Sequence, residues 1–263
     1  MHVERVSVPV ETRAPTGATT AHVVGDAPAL LVDPAGRTER LDSLVADREV
    51  GAIAVTHTHP DHVGAVTEYT AETDAEVLAR RPGRFRQATG VEPDRQITEG
   101  SSIETGSEPV TVLDTPGHAV DHVVFACGNG TVLCGDLAVA EGSVVVGAPE
   151  GDLRAYLTSL RRLRARRPER LLPGHGPAMG PDGVDPRTAL DRLIRHRLDR
   201  EQSILDAVGD GASNLDAVVD AAYEKDLSGV RDLARATVEA HVEKLAVEGK
   251  VAWTPDCGRV RPV

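Results

Sequence analysis

The chain has 263 residues, 40% of them hydrophobic, which suits a globular enzyme with one large core and a small second unit. Its 41 acidic against 29 basic residues leave a formal net charge of -12, and Lys225, Lys244 and Lys250 are the only lysines, so nearly all positive charge is arginine. No basic stretch followed by an apolar one opens the sequence and no apolar run approaches membrane-spanning length, which argues against a membrane partner and makes a cytoplasmic location the expectation. Cys127, Cys134 and Cys257 are too sparse for a zinc knuckle or a disulfide framework and read as reduced and structural.

In chain order, short β-branched runs at Arg5 to Val10, Thr19 to Val24 and Ala29 to Val32, punctuated by Pro and Gly, predict successive antiparallel strands. Asp33-Pro34 closes the third. Leu41, Leu44 and Val45 share one face of a helix predicted over Thr38 to Arg48. Ala52 to Val55 is a buried strand that delivers the chain into Thr56-His57-Thr58-His59-Pro60-Asp61-His62, followed by a helix from His62 to about Glu72. The polar, Arg-rich stretch from Arg80 to Gly100 reads as connection. Strands follow at Val110 to Leu113, His122 to Cys127 and Thr131 to Cys134. A helix over Asp152 to Arg167 carries Leu153, Tyr156, Leu157, Leu160 and Leu163 on one side, and a strand at Leu171-Leu172 runs into Pro173-Gly174-His175-Gly176. After Pro186 the pattern becomes helical over Thr188 to about Val208, Asn214 to Glu224 and Val230 to Glu248. Lys250 to Trp253 and Arg259 to Arg261 then form a hairpin. The expected division is residues 1–185 as one domain and 186–263 as a helical, winged-helix-like second one. There is no internal repeat and no low-complexity segment.

The residues that carry chemistry begin at His57. Side chains two apart on an extended segment project the same way, so His57 and His59 can converge on one point, while Asp61 and His62 at the helix start face a neighbouring one. Imidazole nitrogen and carboxylate oxygen suit zinc. A polar surface turn is the plainer alternative, but such a group of donors has no ordinary structural purpose. Thr115-Pro116-Gly117-His118, Cys134-Gly135-Asp136 and Pro173-Gly174-His175-Gly176 each add one donor just after an apolar strand, beside glycine that lets the backbone approach closely.

This order, His-x-His-x-Asp-His followed by separate His, Asp and His, resembles the metallo-β-lactamase superfamily over about residues 1 to 185. The resemblance implies an α+β fold, a four-layer αβ/βα sandwich, and a binuclear site. His57, His59 and His118 would hold one metal and Asp61, His62 and His175 the other, with Asp136 bridging and Asp61 also orienting a bridging hydroxide. Two Zn2+ ions are the implied cofactors, with iron or manganese as alternatives. Two divalent ions about 3.5 to 4 Å apart bring the pKa of a shared water towards about 7 and polarise a substrate oxygen, so the expected enzyme is a hydrolase without a serine or cysteine nucleophile.

Departures within the superfamily narrow the reading. Two-zinc β-lactamases have cysteine where this chain has Asp136, and flavodiiron proteins have glutamate where it has His59. The chain also lacks room for the large inserted domain of cleavage-factor-type nucleases. It is most similar to the glyoxalase-II-like and β-lactamase-like protein 2 branches. The second likeness runs through Thr115 to His122, Glu141-Gly142, Tyr156 to Leu160, Leu172 to Pro177, and His196-Arg197 with Arg200-Glu201-Gln202. It implies attack on a phosphodiester or ester-like bond, with single-stranded RNA as the leading substrate. A glyoxalase-II-type thioesterase acting on a small ester or thioester is the alternative. From another class comes a nucleic-acid-binding or partner-docking protein with a vestigial hydrolase core. Homodimers are common in the superfamily, although no surface patch here demands one.

Weaker signals have plainer readings beside them. His122 and Asp121 either orient a ligand or serve the core. His196, near Arg197 and Arg200, reaches substrate or is a satisfied helix histidine, the second being favoured; His2, His22 and His241 read as structural. Arg161, Arg162, Arg164, Arg166, Arg167 and Arg170 could track a phosphate backbone, but their place opposite an apolar helix face favours a solvated surface. The same discount applies to Arg80, Arg81, Arg84 and Arg86. Few aromatic residues are available to stack bases.

The acidic, lysine-poor composition resembles that of salt-adapted proteins. At about 1 M salt the Debye length is only about 3 Å, so acidity does not by itself exclude RNA. Salt adaptation predicts that dialysis into low salt costs both fold and activity, as followed by circular dichroism and turnover; full stability there would contradict it.

Overall fold

Alternation along the strands sorts their side chains into layers. The computed structural model describes residues 1–263. One sheet runs in order through β1 (Val3–Pro9), β2 (Ala18–Val24), β3 (Ala29–Val32), β4 (Val50–Ala54), β5 (Glu76–Ala79) and β6 (Arg95–Gln96). The second contains β7 (Ser102–Ile103), β8 (Val110–Asp114), β9 (Val123–Ala126), β10 (Thr131–Gly135) and β11 (Arg170–Pro173), with β10 between β9 and β11. Leu30 and Val32 of β3 face Val112, Phe125 and Leu133 of the other sheet, while Ala29 and Leu31 point the opposite way. In the same manner Val123 and Phe125 face inward and Val124 outward.

Helices cover both outer faces. On the first sheet, α1 (Glu39–Asp47) contributes Leu41, Leu44 and Val45, capped by Thr38, whose hydroxyl accepts from Leu41 N at 3.1 Å. The short helices α2 (Pro60–Val63) and α3 (Val66–Glu72) follow, and Tyr69 of α3 joins the α1 cluster. A single helix is expected from His62, yet the chain breaks at Gly64. It passes so close to Ala35 that a Cβ there would lie 2.3 Å from the Ala35 carbonyl oxygen. On the second sheet, α5 (Leu153–Arg166) packs Tyr156, Leu157, Leu160 and Leu163 beneath the first part of α6 (Pro186–Gly209). The result is a helix, sheet, sheet, helix order, as expected.

The stretch from Arg80 to Gly100 is not mere connection. It forms α4 (Pro82–Thr89), bracketed by Pro82 at its start and left-handed Gly90 at its end, and then edge strand β6. The one buried side chain of α4, Phe85, is too little apolar signal to show against the arginines. Strands β6 and β7 have only two residues each, too few to show a pattern, and the four-residue β5 was missed as well. The first three strands are antiparallel, as expected, but β3 to β6 pair in parallel through crossover helices.

The second half of α6 packs with α7 (Leu215–Ala222), α8 (Arg231–Val247) and a hairpin of β12 (Val251–Thr254) and β13 (Arg259–Pro262). Ile204, Val208, Val218, Val238, Leu245 and Val260 form their own cluster. Its charged interior pair, Glu201 with Lys244 at 2.5 Å, is neutralised in place. The cysteines are free thiols, Cys127 and Cys134 buried and Cys257 exposed. No helix is long and apolar enough to cross a membrane.

Candidate metal centre

The predicted donors all follow strand ends at one edge of the sandwich. His57, His59, Asp61 and His62 follow β4, His118 follows β8, Asp136 follows β10 and His175 follows β11. Two backbone hydrogen bonds tie the sheets there: Thr20 N donates to Gly174 O at 2.7 Å and Val123 N to Thr56 O at 2.8 Å. Gly117 brings the His118 loop against α5, where a Cβ would meet the Tyr156 backbone at 2.3 Å.

The structure brings all these side chains together. Nε2 of His57 and Nε2 of His118 each lie 2.9 Å from Nδ1 of His59. His175 Nε2 sits 3.5 Å from Asp61 Oδ2 and 3.4 Å from Asp136 Oδ2. Asp136 is also 3.6 Å from Nε2 of both His62 and His118, so it faces both groups. Three sets of donors lie within reach of a common ion: His57, His59 and His118; His57, His62 and Asp136; Asp61, His62 and His175.

The other nitrogen of each imidazole is already engaged. His118 Nδ1 donates to Val145 O at 2.7 Å and His175 Nδ1 to Ala18 O at 2.9 Å. His62 Nδ1 donates to Asp33 Oδ2 at 3.0 Å. His57 Nδ1 meets the Thr56 hydroxyl at 3.1 Å, which itself donates to Asp33 Oδ2 at 2.8 Å. His59 Nε2 faces Glu150 Oε2 at 3.3 Å, and Arg84 holds that carboxylate from the far side. With their protons so assigned, the inward nitrogens meet lone pair to lone pair, an arrangement that needs a cation between them. His62 Nε2 and Asp136 Oδ1, both buried, have no hydrogen-bond partner in the protein.

The electrostatics show the same demand. Burial holds the His57 pKa well below the usual histidine range, and the neighbouring imidazoles add to it. His118 is likewise lowered by burial, and His122 falls to about 3. Burial also pulls on His62 and His175, but carboxylates outweigh it: Asp33 and Asp136 raise His62, and Asp136 with Asp61 raises His175 to about 10. Burial would raise the two carboxyls, yet the imidazoles keep Asp136 far below the carboxylate range. His175, His62 and the Thr12 hydroxyl bring Asp61 to about 2. The carboxylates thus stay ionised and call for positive charge.

Weaker signals separate clearly. His122 packs its ring on that of His57, with centroids 5.2 Å apart, accepts from Asp136 N at 3.1 Å and meets the Thr115 hydroxyl at 2.8 Å, fixing two donor-bearing loops. Asp121 accepts from the Thr58 hydroxyl at 2.7 Å, between His57 and His59. His196 lies on α6 and does not line the cleft, its pKa lowered to about 4 by burial and nearby arginines. Arg162 and Arg164 pair with Glu99 and Asp191, in keeping with a solvated face.

Sequence reasoning missed Asp33, Thr12, Glu150 and the two carbonyls. Asp33 had a usable signal, since a lone carboxylate just after apolar β3 repeats the setting of Asp136 after β10. It is 1% exposed, with a left-handed φ of 53° and both oxygens engaged.

Comparison with known proteins defines the class. The model for the metallo-beta-lactamase superfamily matches residues 14–175, and the chain belongs to that superfamily. It is similar to a "Beta-lactamase-like protein 2 homolog" from Drosophila melanogaster, 33% identical over 77% of this chain and 70% of the relative. It also resembles a "Hydroxyacylglutathione hydrolase" from Acidiphilium cryptum, 29% identical over 54% of this chain and 56% of the relative. Among solved structures, a metallo-beta-lactamase family protein from Thermus thermophilus shares the fold over 99% of this chain and 98% of its own, with a TM-score of 0.78 and 24% identity. TTHA1623, solved in a di-iron-bound form, matches 65% of this chain and 93% of its own at 31% identity and a TM-score of 0.53. The superfamily's hydrolases and the His/Asp groups suited to a dimetal site make this chain a metal-binding hydrolase.

Asp33→Asn would keep the shape but remove the carboxylate that fixes His62 and, through Thr56, His57. Metal affinity, measured by chelator competition, is expected to fall about 10- to 100-fold. Unchanged affinity would show that Asp33 serves only the fold.

Proposed function

We propose that the chain is a binuclear hydrolase of a carbonyl ester, with a thioester as the favoured substrate. The observation that carries it is the pair of donor groups facing one shared carboxylate. His57, His59 and His118 would hold one ion, Asp61, His62 and His175 the other, and Asp136 would touch both. Nitrogen and oxygen donors of this kind suit zinc, and iron is the second reading because TTHA1623 was solved in a di-iron form. A pair of divalent ions so held supplies a water of lowered pKa and an electrophile for the substrate oxygen.

The chain's own residues do the rest. Thr12 donates to Asp61 Oδ2 at 2.5 Å, fixing the carboxylate that would orient the attacking oxygen. The cleft beside the donors, about 730 Å³, has Pro15, Val139, Ala140, Val144, Val145 and Leu233 on its walls. These exclude water around a scissile carbonyl.

Cleft charge favours the thioester over RNA. Among the lining residues the one arginine, Arg13, is paired with Asp232 at 3.0 Å, while Glu11 and Glu141 bring negative charge. Phosphates flanking a scissile RNA bond would find no free cation track. RNA remains the second reading because of the C-terminal unit, which we propose spans 186–263 beside a catalytic unit of 1–185. Its three helices and hairpin have the makings of a winged helix. A vestigial core is disfavoured by the complete donor set. Salt adaptation belongs to this reading on composition alone.

The test offers zinc-loaded protein an acylated thiol and, separately, labelled single-stranded RNA. Thiol release with intact RNA is expected, and Asp136→Ala should lower it at least about a hundredfold, the upper end for loss of a mere supporting residue. Cleaved RNA without thiol release would replace the thioester with the phosphodiester. Full function retained in His59→Ala would remove the hydrolase reading altogether.

A further inference from the structure

The loop between β10 and α5, residues 136–152, does more than carry Asp136. It forms one side of the cleft, supplies the Val145 carbonyl that accepts from His118 Nδ1, and presents Glu150 to His59. It has no strand or helix of its own to set its shape. Its ends are tied within the first unit, by Tyr156 OH to Leu137 O at 2.9 Å and Asp152 N to Gly117 O at 2.8 Å, and its middle is gripped by the C-terminal unit. Arg192 of α6 donates to the carbonyls of Val139 at 2.8 Å, Ala140 at 3.1 Å and also Gly142. Ala148 N donates to Ala236 O of α8 at 3.0 Å.

One anchor stands apart. Arg197 is 2% exposed, lies over the Tyr156 ring with its guanidinium carbon 5.4 Å from the centroid, and donates to the Val144 carbonyl. Its Nε has no hydrogen-bond partner, and it makes no ion pair with any carboxylate. Burying a guanidinium without a counter-charge is costly, so packing alone is a poor reason for its place. The carbonyl it grips is one peptide unit before the one that fixes the His118 ring.

We propose that Arg197 is a positioning residue for the metal position formed by His57, His59 and His118, and that through it the C-terminal unit completes the active site. With Arg197 holding the Val144 carbonyl, the next carbonyl, that of Val145, keeps the proton on His118 Nδ1 and leaves the Nε2 lone pair facing His59 and Asp136. Released, that ring is free to turn. The proposal rests on the ligand assignment made above, but concerns metal affinity rather than substrate.

Cobalt(II) titration of metal-free protein tests it, because the two positions differ in donor set and hence in visible absorption. Arg197→Met keeps the apolar stem and removes the donor; it should weaken the three-histidine position about 10- to 100-fold and leave the other within about twofold. Arg197→Lys, with a single-point donor, should recover part of the loss and carries the test if the methionine variant does not fold. Arg200→Met is the control, since Arg200 stacks on Tyr223 at 3.7 Å and donates to Ala222 O within the same unit, away from the loop. It should change the unfolding midpoint without changing metal binding. Wild-type affinity at both positions in the Arg197 variants, or equal weakening of both, would overturn the proposal. Failure of the unaltered protein to take up cobalt would instead remove the ligand assignment beneath it.

Discussion

The constraint on which this structure depends is the meeting of imidazole lone pairs around buried carboxylate. Each inward ring has its outward nitrogen spoken for by a carbonyl, a hydroxyl or a carboxylate. Removing an ion from water costs several kcal/mol even after relaxation, so Asp136 at 6% exposure needs matching positive charge. Without a metal, His62 and His175 can supply part of it by staying protonated. Divalent ions meet the same demand at both donor groups and make the site chemically useful.

Fold and site are linked through the strand ends. The two sheets share one apolar layer, and the donors follow the ends of β4, β8, β10 and β11, with glycine beside them after the last three. Rigid strands set the donor positions, and the turns supply the close backbone approach. Helices α6 and α8 add to this from outside, gripping the middle of the long loop between β10 and α5. Arginine, used elsewhere on solvated faces, serves there as a bridge between the two parts.

Much of this was legible in the residues. The His57 to His62 motif and the isolated His118, Asp136 and His175 each followed an apolar run, so both the donors and their placement at strand ends could be read. The layered order was implied by the resemblance to the superfamily, which those donors carry. What could not be read depends on contacts distant in sequence. Asp33 lies 29 positions from the His62 it steadies, and Val145 27 from His118; neither spacing has a period. The α4 helix was hidden because only Phe85 turns inward. The cleft's lack of a free cation also needed the fold, since Arg13 looks available until Asp232 is seen beside it.

Anomalous X-ray diffraction from crystals of the metal-loaded protein, collected at the absorption edge of the bound element, addresses the central claim most directly. Two peaks are expected about 3.5 to 4 Å apart. One should lie about 2.0 to 2.2 Å from nitrogens of His57, His59 and His118 and the other at similar distance from Asp61, His62 and His175, with Asp136 touching both. A single peak, or ions bound elsewhere with these lone pairs still facing one another, would contradict the account.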